Sequence, residues 1–152
     1  MIATAILDPD GRLVAETKLP VARSGHWNLV KGNPAKEKLL SMNRVAVTPQ
    51  EKRALAATGA GAVEMEAAGV YQKAREWGAP FYGIRVITDT AGDGFGIDFN
   101  RMRDSDGRFS RSRIIVGACR HPFKLFPELM QFDRRCRAAA TMLGDFIADC
   151  QF

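Results

Sequence analysis

Short apolar segments alternate with helical segments along this chain, and the alternation limits the possible folds more than any other pattern in the sequence. The predicted strands are short, and they cover residues 2–7, 44–47, 61–65 and 81–87. Strands that alternate with helices usually pack as a mostly parallel sheet covered by helices. We therefore predict an α/β fold with a mixed, mostly parallel sheet.

The helices are predicted from the residues at their boundaries. Thr48 is suited to cap a helix that starts at Pro49, Glu51 completes a capping box, and Gly59 ends the helix. A second helix is predicted over residues 66–77, where a glycine again follows the last turn. Three more helices are predicted over residues 110–120, 122–132 and 133–150.

Two connections differ in character. The turn signal at residues 8–11 (DPDG) predicts a hairpin whose returning strand covers residues 13–17. Residues 20–43 are predicted to be an irregular connection, because they contain several residues that break regular structure: Pro20, Gly25, Gly32, Asn33 and Pro34. Connections of this length are often functional.

Length and composition are typical of one globular domain. The chain has 152 residues, of which 46% are apolar and 26% are charged, and we expect a single domain over residues 1–152. No apolar run is long enough for a membrane helix, and the first residues lack the basic leader of a signal peptide, so we expect a cytoplasmic protein with no membrane partner. The three cysteines are too widely spaced to predict a disulfide framework or a metal site.

The net charge of +5 includes an arginine cluster between residues 101 and 113. Nucleic-acid binding is one use of such a cluster. However, Asp104 and Asp106 interrupt it, and no known nucleic-acid motif accompanies it. A solvated surface, or a loop over an anionic ligand, is the favoured interpretation.

Two predicted strands end on carboxylates, and these are the candidate site residues. Glu64, Met65 and Glu66 end one strand, and Asp89 follows the other. The carboxyl ends of parallel strands form the ligand crevice of an open α/β sheet. Each carboxylate also has a purely structural interpretation: Glu66 as a first-turn helix residue favoured by the helix dipole, and Asp89 as the cap of a turn.

Several short segments together resemble a known family. They are Glu51-Lys52, the sequence GAGAVEMEAAGV at 59–70, GAPF at 78–81 and RVITD at 85–89. Their order and spacing resemble the C-terminal half of the purine/uridine phosphorylase superfamily, which includes methylthioadenosine/S-adenosylhomocysteine nucleosidases. The resemblance is clear over about residues 40–95. Segments at 97–100, 106–108 and 120–122 are similar, more loosely, to the bacterial branch that contains hopanoid-associated phosphorylases.

The resemblance implies a fold, a reaction and roles for the site residues. The fold would be part of a phosphorylase/hydrolase-like three-layer α/β sandwich, and the reaction the cleavage of the N-glycosidic bond of purine nucleosides. Met65 would pack against the sugar, and Glu66 would accept hydrogen bonds from its 2′ and 3′ hydroxyls. Asp89 would act as general acid at purine N7, and Glu64 would bind the substrate or support Glu66. Arg85 would tie the strand to its loop.

The family's N-terminal half, with its glycine-rich phosphate loop, is not matched in this sequence. We therefore expect a truncated domain that associates as a homo-oligomer. The glycines at 92, 94 and 96 are interpreted as a lid and not as a phosphate cradle. No cofactor is implied, although phosphate would be the co-substrate of phosphorolysis. Hydrolysis and phosphorolysis remain open, as do a non-catalytic nucleoside-binding or structural module and a basic scaffold for an anionic partner.

Overall fold

A mixed four-stranded sheet forms the centre of the computed structural model, which describes residues 1–27, 33–94, 100 and 122–152. Its strands stand in the order β2-β1-β4-β5, where β1 is Ile2–Leu7, β2 is Leu13–Glu16, β4 is Lys36–Ser41 and β5 is Ala62–Glu64. The β1/β4 and β4/β5 pairs are parallel, and the β1/β2 hairpin is antiparallel. The predicted mixed, mostly parallel α/β sheet is therefore confirmed.

The elements outside this sheet are three helices and one strand pair among the described residues. The helices are α1 (Pro49–Ala56), α2 (Ala67–Glu76) and α3 (Pro122–Ala148). A two-stranded antiparallel sheet joins β3 (Val21–Ala22) to β6 (Cys150–Gln151), so the end of the chain is fastened beside the region that follows the hairpin.

The first two helices begin and end where the sequence predicts. The Thr48 hydroxyl accepts a hydrogen bond from the Glu51 amide, and Pro49 is the first residue of α1. Gly59 and Gly78 follow α1 and α2 with positive φ angles of 78° and 64°. Glycine adopts this left-handed conformation without strain, which explains why the helices end there.

The core lies on both faces of β1 and β4. Leu39 and Leu40 are both fully buried, and because they are consecutive in a strand they point to opposite faces of the sheet. Leu39 clusters with Ala67 of α2, whereas Leu40 belongs to a cluster against which Leu55 of α1 packs. Burying a leucine side chain stabilises the fold by about 1.5–3 kcal/mol. The two short helices are therefore held on opposite faces of one sheet.

Helix α3 is attached through aromatic packing near its C-terminal end. Phe146 is buried with Ile2 and Cys150, and its ring stacks on that of Trp27 with the centroids 4.5 Å apart. The two helices predicted over 122–132 and 133–150 are one continuous helix, so the predicted break is wrong. The helix runs through Asp133, whose carboxylate accepts a hydrogen bond from Arg137 one turn later.

The prediction for residues 20–43 is wrong, because this stretch contains β4, the strand between β1 and β5. The sequence of β4 is KEKLLS, and only its last three residues are buried. A strand whose first half is charged and exposed carries little of the apolar pattern by which strands are recognised.

Residues 44–47, predicted as a strand, form no strand. Their backbone groups bond to side chains: Val47 N donates to the Glu51 carboxylate, and Val45 exchanges two hydrogen bonds with the Asn100 amide. These side chains take the place of a neighbouring strand.

Residues 81–87, predicted as the strongest strand, contact the sheet through isolated bridges only, Ile2 with Ile84 and Lys18 with Tyr82. The reason is that β1 already pairs with β4 on one side, and along most of its length with β2 on the other. The segment reaches β1 beyond the end of the β2 ladder, where Ala3 N donates to Gly83 O at 2.7 Å.

Several sequence predictions fall outside the described residues. These are the helix over 110–120, the arginine cluster between 101 and 113, and most of the predicted lid beyond Gly94. Within the residues that the structure does describe, no helix has both the length and the apolar character needed to cross a membrane.

Candidate functional site

A pocket of about 810 Å³ opens at the carboxyl ends of β4 and β5. It is lined by residues 44–46, 61–66 and 85–91, by Lys52 and Ala56 of α1, and by Leu39 and Phe132. Pockets for small organic ligands usually have volumes of 300–1,000 Å³. All four candidate residues from the sequence, Glu64, Met65, Glu66 and Asp89, line this one pocket.

Glu64 ends β5 and organises the start of α2. One of its carboxylate oxygens accepts hydrogen bonds from the Glu66 and Ala67 amides at 2.9 and 2.8 Å, and the Arg85 guanidinium donates to the same oxygen at 2.7 Å. These bonds satisfy amide groups that a helix start leaves without partners. Its side chain is 9% exposed, so most of the carboxylate's interaction is with the protein itself.

The ionisation of Glu64 follows from these contacts. Burial alone would raise the pKa of this carboxyl. The hydrogen bonds from Arg85, from the Glu66 amide, from Ser41 and from the Ala67 amide more than offset burial and hold the pKa of Glu64 below its usual range. Glu64 is therefore an anion that supports the segment carrying Met65 and Glu66.

Glu66 has a different environment from Glu64, although only one residue separates them. It is the residue before the first turn of α2, and its side chain makes no capping bond. The side chain is 69% exposed, and its carboxylate lies 3.9 Å from Arg85, at the limit of an ion pair. Met65, between the two glutamates, is half-buried in the pocket wall. The Glu66 carboxylate is thus exposed at the pocket wall.

Asp89 is held by a side chain of α1. The Lys52 ammonium lies 2.5 Å from Asp89 Oδ2, and the Thr88 hydroxyl is 3.2 Å from Oδ1. The Lys52 and Asp89 side chains are 9% and 26% exposed, so this ion pair is shielded from water to a large extent. Glu66 and Asp89 therefore have separate cationic partners within the same pocket.

The turn after Asp89 has its own hydrogen bonds. The Thr90 amide and hydroxyl both donate to the Asp93 carboxylate, at 2.8 and 3.0 Å. These bonds from Thr90 outweigh the effect of burial and, with the nearby charges of Arg135 and Lys52, lower the pKa of Asp93. Arg135 of α3 lies 3.6 Å from the same carboxylate, which links the long helix to the turn after Asp89.

Arg44 and Val45 also line the pocket. Arg44 forms an ion pair with Glu51, and Glu51 also accepts the Val47 amide at 2.9 Å. Burial raises the pKa of Glu51, but the Val47 amide and the Arg44 guanidinium lower it by more. The described residues contain no cluster of histidine, cysteine and carboxylate side chains that could hold a metal ion.

The sequence does not reveal the contacts of two pocket residues. Lys52 stands out only as part of a motif, and nothing in the sequence singles out Arg44. The partner of Lys52 lies 37 residues away in sequence, so local spacing carries no signal for this pair. The Arg85 guanidinium lies 2.7 Å from the Glu64 carboxylate and 3.9 Å from that of Glu66, at the start of α2.

Comparison with known proteins gives one match. Residues 39–111 match the family model described as the phosphorylase superfamily. The matched segment begins within β4 and includes all four candidate residues and Lys52. No curated protein and no solved structure matches the chain significantly.

Proposed function

We propose that the pocket binds a purine nucleoside and cleaves its N-glycosidic bond; the match of residues 39–111 to the phosphorylase superfamily supports a protein of the nucleoside phosphorylase/nucleosidase type. One observation carries this proposal. The pocket brings together an exposed carboxylate, Glu66, and a carboxylate held by a cation, Asp89. The volume of about 810 Å³ is sufficient for a ligand of nucleoside size.

In the proposed reaction, the bond between the ribose C1′ and the purine nitrogen breaks, and its electron pair leaves with the base. Positive charge develops on the ribose, where Glu66, bound to the 2′ and 3′ hydroxyls, stabilises it. Asp89 delivers a proton to N7, directly or through a water molecule, so that the base leaves as a neutral molecule. The Lys52 ammonium then stabilises the carboxylate that remains on Asp89.

The C1′ atom is attacked by an oxygen of water or of phosphate. Attack by water gives ribose, and attack by hydrogen phosphate gives ribose 1-phosphate; in either case the proton that the nucleophile loses returns to Asp89. Phosphate is then a co-substrate, and neither reaction requires a cofactor.

The test is a chromatographic assay of adenosine, inosine and methylthioadenosine, each with and without phosphate. The proposal predicts release of the free base from at least one of them, and the sugar product identifies the nucleophile. Asp89→Asn serves as the matched inactive control. No base release from any of the three, under either condition, would contradict catalysis.

A second candidate, a module that binds nucleosides without turnover, is favoured by one observation. Asp89 Oδ2 accepts a hydrogen bond from the Lys52 ammonium, and a carboxylate used in this way can also accept a hydrogen bond from a bound base without any proton transfer. Calorimetric binding of adenosine together with an absence of base release would establish this second candidate.

We also propose that the chain, as a single domain over residues 1–152, functions as a homo-oligomer in the cytoplasm. Large apolar side chains are exposed on or next to two helices, including Val70 of α2, Trp77 directly after α2 and Met142 of α3, and an interface between copies would cover them. The described cysteines, Cys136 and Cys150, are unpaired, as is usual in a reducing compartment. Sedimentation as a stable monomer of 16.7 kDa would contradict the oligomer.

A further inference from the structure

Lys52 occupies an unusual position for a lysine. It lies on α1, its side chain is 9% exposed, and it lines the pocket. A lysine ammonium has three donors, and the structure provides acceptors for all of them. They are Asp89 Oδ2 at 2.5 Å, Asp93 O at 2.8 Å and Thr90 O at 3.2 Å. One cation therefore contacts both the Asp89 carboxylate and the turn that follows it.

The segment before Asp89 bonds to the first residues of the chain at two of its positions. Gly83 and Arg85 bond to the backbone of the first residues of the chain, at 2.7 and 3.0 Å. Among the described residues, no comparable backbone bond joins positions 86–89 to the sheet. A carboxylate at the end of a regular strand would be oriented by the ladder, whereas Asp89 depends on its side-chain partners.

We propose that Lys52 is a positioning residue, which holds Asp89 and the Thr90–Asp93 turn in the orientation that presents Asp89 to the leaving base. The proposal rests on the proposed function. Contacts in three directions restrict the ammonium more than a single ion pair would. Because α1 is fixed to the sheet through Leu55, the position of Asp89 is tied to the core by way of Lys52.

Three variants separate positioning from simple stabilisation. Lys52→Met keeps the length of the side chain and removes the donors, while Lys52→Arg keeps the charge but places a planar, larger group in a largely buried space. The matched control is Lys73→Met, because Lys73 forms an exposed ion pair with Glu76 and its side chain is 63% exposed. Comparison of thermal unfolding shows that each variant is folded before further measurement.

The first measurement is amide hydrogen exchange at Thr90 and Asp93, which requires no ligand and no activity. The Asp93 amide bonds to Thr90 O, and the Thr90 amide bonds to the Asp93 carboxylate. We expect exchange at both amides to be at least about tenfold faster in Lys52→Met, as for the loss of a hydrogen bond to a charged group, and unchanged in Lys73→Met. Unchanged exchange in Lys52→Met would overturn the proposal.

The second measurement is turnover of the nucleoside that the wild type cleaves. Misplacement of a reacting group by about 1 Å can cost about 100-fold in rate, so we expect a fall in kcat of that order in Lys52→Met with KM changed by less than about threefold. Lys52→Arg should recover part of the lost kcat. Faster exchange with kcat unchanged would overturn the positioning role.

If the wild type neither binds nor cleaves nucleosides, the proposed function fails, and the exchange measurement alone then decides whether Lys52 holds the turn.

Discussion

Glu66 and Asp89 look alike in the sequence, since each follows a short apolar segment, but the structure holds them in different ways. Glu66 follows a true strand, β5, and begins α2 with its side chain 69% exposed. Asp89 follows a segment that forms only isolated bridges, and its carboxylate is bound to a largely buried lysine. The carboxylate on regular structure is thus the exposed one, and the carboxylate on irregular structure is the restrained one.

This difference fits the two proposed roles. A carboxylate that binds a diol gains its hydrogen bonds from the ligand, so it can remain exposed until the ligand arrives. A proton donor must be within hydrogen-bonding distance of one atom of the base, so it gains from restraint before the ligand arrives. The two neighbouring glutamates also differ in their contacts. Glu64 orders the start of α2, which leaves the side chain of Glu66 available to the pocket.

The largest expected effect tests the role of Asp89. Asp89→Asn keeps the shape of the side chain and removes the proton donor, so turnover should fall by about 10²–10⁴-fold. The affinity for adenosine should change much less, because the base still fills the same pocket. Steady-state kinetics and calorimetry measure the two quantities. A loss of affinity as large as the loss of turnover would place Asp89 among the binding residues only.

The next effect concerns stability and distinguishes Glu64 from Glu66. An amide at position 64 would place an NH₂ group among the backbone amides and the guanidinium that now donate to the carboxylate. Glu64→Gln should therefore lower the free energy of unfolding by about 2 kcal/mol. Glu66→Gln, at an exposed side chain, should change it by less than about 0.5 kcal/mol. Urea unfolding of both variants measures these changes. Equal losses of unfolding free energy in the two variants would refute the structural role assigned to Glu64 alone.

A smaller effect is expected on ligand binding when Glu66 loses its charge. Glu66→Gln should weaken adenosine binding roughly tenfold, because each hydrogen bond to a charged acceptor contributes about 1.5–3 kcal/mol. Glu76→Gln is the matched control, since Glu76 is also an exposed glutamate of the α2 region but pairs with Lys73. The same loss in both variants would show that the effect is one of general charge and not of ribose recognition.

The smallest effect is a dependence of stability on pH. The pKa of Glu64 is lowered in the folded state, so its contribution is fully present above the pKa of an unfolded glutamate, about 4.3, and is lost as pH falls through the lower folded value. The difference in unfolding free energy between wild type and Glu64→Gln should therefore shrink as the solution is acidified below about pH 4. A difference that stays constant down to pH 2 would contradict the ionised, hydrogen-bonded state of Glu64.

The sequence predicted the parts of the molecule whose signals are local. The capped start of α1, the glycines after α1 and α2, the hairpin and β5 all depend on neighbouring residues, and all are observed. The errors arise where the pairing of a strand depends on segments that lie far away in the sequence. Nothing within residues 81–87 reveals that β1 is already paired with β4 and β2. The first half of β4 is charged and exposed, so the sequence does not show that it belongs to a central strand.

The candidate site shows the same pattern. Short motifs and their family resemblance identified four residues that line one pocket, but their roles remain predictions. The sequence did not reveal which carboxylate each cation would bind. Lys52 pairs with Asp89 across 37 residues and Arg85 with Glu64 across 21, and only the fold brings these partners together.

Calorimetric titration of the wild type with adenosine and with adenine tests most directly whether the pocket holds a base at Asp89 and a ribose at Glu66. Both ligands should bind, and adenosine should bind at least about tenfold more tightly, because only adenosine offers the two hydroxyls to Glu66. The advantage of adenosine should disappear in Glu66→Gln. Binding of neither ligand at millimolar concentration would contradict the assignment of this pocket to purine nucleosides.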